Sequence, residues 1–199
     1  MNIVIIKYNA GNIESVRNAL NRIGVKAEIT ADHDKIRNAD KVIFPGVGEA
    51  SSTMDYLRKH ELDKLIVSLK QPVFGICLGL QLMCSYSEEN DTKCLGIFDE
   101  KVMRFSPKPG EEFVTKVPHM GWNAISNLKS KIFSEDIENQ YVYFVHSYFA
   151  GIGKHTVATC NYITPFSAAL QKDNFYATQF HPEKSGSVGA RILENFVKL

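Results

Sequence analysis

Short apolar runs alternate with stretches in which hydrophobic residues recur every three or four positions, and the alternation changes character half-way along the chain. Ile3-Val4-Ile5-Ile6 is continuous and β-branched, which predicts a strand buried on both faces. Ile13, Val16, Leu20 and Ile23 follow at helical spacing, and Val42-Ile43-Phe44 makes the next strand. A helix is expected after Gly48 with Met54 and Leu57 turned inward, then a strand around Val73-Phe74 and a helix opening at Leu78. Continuous strands separated by amphipathic helices imply a mostly parallel sheet with helices on both faces.

Beyond Leu78 the long helices disappear. Lys101 to Phe105, Tyr141 to Val145, Thr156 to Cys160, Phe166 to Leu170 and Phe175 to Phe180 read as strands without helices between them, so a smaller mixed or antiparallel extension is expected. A last helix puts Val188, Ile192, Leu193 and Phe196 on one face. The fold class is therefore α/β and flavodoxin-like. No internal repeat or Gly/Ser-rich linker interrupts it, so residues 1–199 are expected to form one domain.

Composition changes this picture little. Of 199 residues, 44% are hydrophobic and 23% charged, which argues against disorder and repeat-fibre classes. A net charge of +1 provides no field for nucleic acid or an anionic membrane, so neither is expected as a partner. The four-residue apolar run before Lys7 is too short for a signal-peptide core or a membrane span, and a cytoplasmic protein is expected. Cys77, Cys84, Cys94 and Cys160 contain no C-x-x-C pair, so free thiols are expected, with neither a metal site nor a cofactor.

The chemistry concentrates where a strand runs through Gly75-Ile76-Cys77-Leu78-Gly79 into a helix. This is the thiol form of the G-x-S-x-G nucleophile elbow, in which glycines on either side of the nucleophile let strand and helix approach closely. The positive end of the following helix favours thiolate over thiol. A cysteine nucleophile needs a base and a group to orient the base. His181 in Gln179-Phe180-His181-Pro182-Glu183 follows a strand-like run, and Pro182 biases it to extended backbone. Residues i and i+2 of such a segment face the same way, roughly 7 Å apart, so the Glu183 carboxylate reaches the far ring nitrogen. The backbone N–H of Leu78 is one oxyanion donor, and Pro45-Gly46-Val47-Gly48 is the candidate for the other, because a loop ending a parallel strand lies at the same carboxyl edge as Cys77.

This combination resembles the triad (class I) glutamine amidotransferases. Within that superfamily, Pro45-Gly46-Val47-Gly48, Pro118-His119-Met120-Gly121-Trp122-Asn123, Tyr143-Phe144-Val145-His146-Ser147-Tyr148 and His181-Pro182-Glu183-Lys184-Ser185 are similar to the glutaminase subunits of imidazole glycerol phosphate synthases in histidine biosynthesis. The resemblance implies that Cys77 attacks the glutamine side-chain amide, that His181 passes a proton to the departing ammonia, and that Glu183 orients His181. It implies an oxyanion hole from Gly46, Val47 and Leu78, glutamine held by Gly48, Gly79, Gln81, Ser147 and Tyr148, and a (β/α)₈ cyclase partner to which ammonia is channelled. His119, Met120, Trp122 and Asn123 are then expected at the partner interface and ammonia gate.

Two departures bear on the partner. Lys7-Tyr8-Asn9-Ala10-Gly11-Asn12 stands where the family usually has an Asp-Tyr-Gly-like stretch, and Gly186 stands where glutamine is common. A paralogue feeding ammonia to another synthase, such as a sugar-amidinating enzyme, is the alternative reading. A non-catalytic subunit and a metal-dependent hydrolase are the remaining classes.

Overall fold

A computed structural model describes residues 1–9, 11–107, 110 and 116–199, so Ala10 of the departing stretch lies outside them. In chain order the elements are β1 (Ile3–Ile6), α1 (Ile13–Arg22), β2 (Ala27–Thr30), α2 (His33–Arg37), β3 (Lys41–Gly46), α3 (Ala50–Lys59), α4 (Leu62–Ser68), β4 (Val73–Cys77) and α5 (Leu78–Met83). There follow β5 (Tyr86–Ser87), β6 (Thr92–Lys93), β7 (Lys101–Arg104), β8 (His119–Ala124), β9 (Tyr141–His146), β10 (Tyr148–Ala150), β11 (Thr156–Asn161), β12 (Pro165–Lys172), β13 (Phe175–Thr178) and α6 (Gly186–Lys198).

The central seven-stranded sheet runs β11-β12-β13-β4-β3-β1-β2. Its pairs from β13 through β4, β3 and β1 to β2 are parallel, and β11-β12-β13 is antiparallel. This is the mostly parallel α/β architecture with an antiparallel extension that the hydrophobic pattern predicts. The pleat of β1 shows why its run is unbroken. Ile3 and Ile5 pack with Leu20 of α1 and Phe196 of α6 on one face, while Val4 and Ile6 pack with Met54 and Leu57 of α3 on the other. Both faces are covered, so each position must be apolar.

Several elements escape the pattern reading: the short strands β5, β6 and β10, the strand β8, and β2, α2 and α4. β2 is an edge strand, Ala-Glu-Ile-Thr, with Ala27 and Ile29 half-buried and Glu28 exposed, and α2 and α4 are five and seven residues long, too short for a visible period. Two smaller sheets, β10-β7-β5-β6 and the antiparallel ribbon β8-β9, complete the molecule. The ribbon pairs Met120 with Val145 and Trp122 with Tyr143. No helix among the described residues is long and apolar enough to cross a membrane.

Candidate active site

The register of the parallel strands sets Gly46 opposite Cys77 and Thr178 opposite Ile76, so the turns after β3, β4 and β13 open on one edge. Cys77 is the last residue of β4, with φ 54° and ψ −105°, a conformation that costs an L-residue about 1–3 kcal/mol and survives only where packing imposes it. The two glycines explain the packing. A Cβ on Gly79 would lie 2.1 Å from the Phe44 carbonyl oxygen of β3, and one on Gly75 would lie 3.1 Å from the Gly79 carbonyl carbon. Strand, elbow and helix are in backbone contact there.

Downstream of β13, His181 is extended at φ −99°, ψ 95°, and Pro182–Lys184 form a single 3-10 turn rather than continuing extended. The carboxylate still arrives. His181 Nδ1 donates to Glu183 Oε1 at 2.7 Å, both side chains fully buried. Asn12 Nδ2 donates to the same oxygen, from the far end of the chain. With Nδ1 committed, Nε2 is the nitrogen left for Cys77.

Burial pushes the His181 imidazole down, but the Cys77 sulfur and the Glu183 carboxylate outweigh it and hold it up at about 10. Nε2 is nevertheless buried without a hydrogen bond of ordinary geometry. Burial raises the Cys84 thiol, Cys94 to about 11 and Cys160 to about 12.

Cys77, Leu78, Val47, Gly48, Gln81, Ser147 and Tyr148 line one cleft of about 380 Å³. Gly46 and Gly79 are not among its lining residues. Gly79 packs on Phe44, and a Cβ at Gly46 would lie 2.3 Å from the Tyr8 hydroxyl. Tyr8 donates to the Pro45 carbonyl at 2.5 Å and so anchors the loop that leads to Val47.

On the ribbon, Met120 and Trp122 are exposed, and Asn123 is half-buried with its Nδ2 donating to the Asn161 carbonyl at 3.0 Å. His119 lies on the inner face of the ribbon. It is buried, stacked on Tyr162 at 4.0 Å and on Phe144 at 4.8 Å, because its aromatic ring completes an inward-facing cluster that the alternation of β8 turns away from solvent.

Sequence reading misses five contributors. Glu89 lines the cleft, Val145 offers its carbonyl to Cys77 Sγ at 3.9 Å, and Gln179 Nε2 reaches the same sulfur at 3.7 Å. Asn12 and Tyr8 act from the N-terminal turn. Only Gln179 has a local signal, two residues before His181 on the emerging strand. Among the described residues no three His, Cys, Asp or Glu side chains are grouped to hold a metal ion.

Residues 4–199 match the sequence profile of the family glutamine amidotransferase class-I. The chain belongs to this family. It is 59% identical over 199 residues to the imidazole glycerol phosphate synthase subunit HisH of Bacteroides fragilis and 44% identical over 201 residues to that of Escherichia coli, each comparison covering 100% of both chains. A solved glutamine amidotransferase superimposes with a TM-score of 0.73 at 15% identity, covering 98% of this chain and 97% of its own. PurLQS from Thermotoga maritima gives 0.68 at 14%, covering 99% and 97%, and these two likenesses speak to the fold alone. As a class-I glutamine amidotransferase the chain is an enzyme.

Proposed function

We propose that this amidotransferase is the glutaminase subunit of an imidazole glycerol phosphate synthase, hydrolysing L-glutamine to glutamate and ammonia and passing the ammonia to a (β/α)₈ cyclase. The observation that carries the chemistry is the buried His181–Glu183 pair at 2.7 Å, with Cys77 lining a cleft of amino-acid size. Full-length identity to HisH proteins supports the pathway and does not favour the sugar-amidinating paralogue.

The cleft divides the labour. Cys77 Sγ attacks the side-chain amide carbon while the Leu78 N–H, and an N–H of the Gly46-Val47 loop, receive the developing oxyanion. His181 gives its Nε2 proton to the leaving nitrogen, then takes one from the water that opens the thioester. Burial raises the Glu89 carboxyl above its ordinary value, yet it remains the acid lining the cleft and accepts the Ala50 N–H at 2.8 Å. It is the group suited to the α-ammonium of glutamine, with Gln81, Ser147 and Tyr148 around the rest.

Ammonia released into water becomes ammonium, which has no lone pair to attack with, so it needs a sheltered exit. Val145 beside the sulfur pairs with Met120 on the ribbon, whose outer residues Met120, Trp122 and Tyr141 are 67%, 55% and 60% exposed. Such a cluster of large apolar side chains suits a protein partner.

Glutamate release should be measured with and without a purified histidine-pathway cyclase subunit and its ribonucleotide substrate. Stimulation that disappears in Cys77→Ala is expected. Hydrolysis with no response to that cyclase would point to the paralogous pathway.

A further inference from the structure

Gln179 sits between the nucleophile and the cleft wall, fully buried just beyond β13, with its main-chain N–H bound to the Ala168 carbonyl at 2.8 Å. Its side chain has two arms. Nε2 donates to Cys77 Sγ at 3.7 Å, and Oε1 accepts from Gln81 Nε2 at 3.1 Å. Gln81 Nε2 also donates to the Tyr148 carbonyl at 2.8 Å, and both Gln81 and Tyr148 line the cleft.

An amide's oxygen and nitrogen are interchangeable in shape, so their orientation has to follow from the network. Here a single group decides it. The Tyr148 carbonyl accepts hydrogen bonds and donates none, so the Gln81 side chain must turn its NH₂ inward. That NH₂ demands an acceptor from Gln179, which leaves the Gln179 NH₂ no direction but the sulfur. The orientation is reinforced by His146 Nδ1, 2.7 Å from the same carbonyl.

We propose that Gln179 is the positioning donor of the nucleophile: its buried N–H steadies the Cys77 sulfur as a thiolate and ties the sulfur's placement to the Gln81–Tyr148 wall of the glutamine cleft. The assignment rests on the glutaminase reading for its kinetic consequence alone. A donor aimed at sulfur favours the charged state before attack, and again when the thioester C–S bond breaks and the electron pair returns to sulfur. The same donor is absent from the oxyanion hole, because it faces the nucleophile rather than the carbonyl oxygen.

The test uses the full chain as Gln179→Met, which removes both arms at similar length, and Gln179→Glu, which keeps shape and the acceptor toward Gln81 but sets an acid beside the sulfur. Alkylation of Cys77 by iodoacetamide at pH 7.5 reads the thiolate without requiring glutamine turnover, with Cys77→Ala giving the background from other thiols. We expect Gln179→Met to alkylate about tenfold more slowly than the unmodified protein, the scale of one lost hydrogen bond to a charged atom, and Gln179→Glu to be slower still. Glutamate release should show kcat reduced in both variants and KM raised in Gln179→Met alone. Alkylation of Gln179→Met at the unmodified rate, or of Gln179→Glu faster than Gln179→Met, would overturn the proposal. If Gln179→Met loses its cooperative melting transition, Gln179→Glu carries the comparison, and alkylation at the unmodified rate sinks it. Failure of the glutaminase reading would look different, as normal alkylation differences with no glutamate released by any form.

Discussion

The elbow at Cys77 and the ribbon of β8 and β9 meet at the cleft, yet they are fixed by opposite means. The elbow is held by backbone against backbone, with Gly79 seated on the Phe44 carbonyl and no side chain free to adjust. The ribbon is a two-stranded sheet, a unit with little stability of its own, and it is pinned by what its inner side chains touch. His119, Phe144 and His146 pack around Phe166 on the inside, while Met120, Trp122 and Tyr141 stand in solvent. From this position β9 reaches both Cys77 and His181. The Val145 carbonyl faces the sulfur at 3.9 Å, and the Tyr143 carbonyl accepts the His181 N–H at 2.9 Å. Cys77 is thus set by rigid geometry, and its surroundings by an element pinned through its inner side chains.

The comparison breaks most severely at the carboxylate that serves the rigid side. In Glu183→Gln the charge opposite His181 Nδ1 disappears, and kcat for glutamate release should fall by about ten-thousandfold, the scale seen when a triad's orienting acid becomes an amide. The sign of the accompanying pH effect follows from the raised imidazole. Its stabilising contribution is complete below the unfolded value near 6.5 and is lost as pH rises through about 10. In Glu183→Gln the imidazole is held up less, so that loss should end at lower pH and be smaller in total, as read by denaturant midpoints between pH 7 and pH 10.

Next in size is Gly79→Ala. Its methyl would have to sit 2.1 Å from the Phe44 oxygen, where neither backbone can yield, so stability should drop by about 3 kcal/mol or more with activity following it. Trp122→Ala should do the reverse. An exposed side chain contributes within about 0.5 kcal/mol to folding, so the melting temperature should hold. Affinity for the cyclase, measured by calorimetry, should fall by about 2 kcal/mol if Trp122 anchors that interface. A variant at 79 that keeps its stability, or one at 122 that loses it, would reverse the contrast between the regions.

What could be read from the chain follows the same division. The elbow was visible because its requirement is local: glycine at two fixed offsets from a cysteine, between an apolar strand and a helix. The His181–Glu183 pair was visible for a similar reason, although the carboxylate reaches the ring through a 3-10 turn and not along an extended segment. Asn12 lies 171 residues from Glu183, and Gln81 lies 98 from Gln179, and no periodicity can announce such meetings. The inward turn of His119 was hidden too, since polar residues in a strand tell nothing of which face will be buried until the strand has a partner. Gly186 is a smaller case. It starts α6 at φ 58°, a conformation glycine adopts freely, so its place there has a backbone reason of its own.

The finest test separates the regions by protons. Burial depresses His119 to about 4 and His146 to about 3, and the two rings face each other with Nδ1 of one 3.1 Å from Nε2 of the other. Their neighbours are the rings of Phe105, Phe144, Tyr162 and Phe166 and the Tyr148 carbonyl, while the charge of His181 further opposes a proton on His146. An unfolded chain protonates these histidines near pH 6.5 and the native ribbon does not, so stability must fall as pH drops from about 6.5 towards 4. The slope is about 1.4 kcal/mol per pH unit for each histidine. His119→Phe should remove one such share from the slope of urea-unfolding free energy between pH 6.5 and pH 5, whatever it does to stability at pH 7. Gly79→Ala should lower the whole curve and leave its slope alone, because the elbow's constraint is steric and has no proton to lose. Equal slopes in His119→Phe and the unmodified protein would mean that the ribbon's interior accepts charge, and the distinction between a packed elbow and a neutral-histidine clamp would fail.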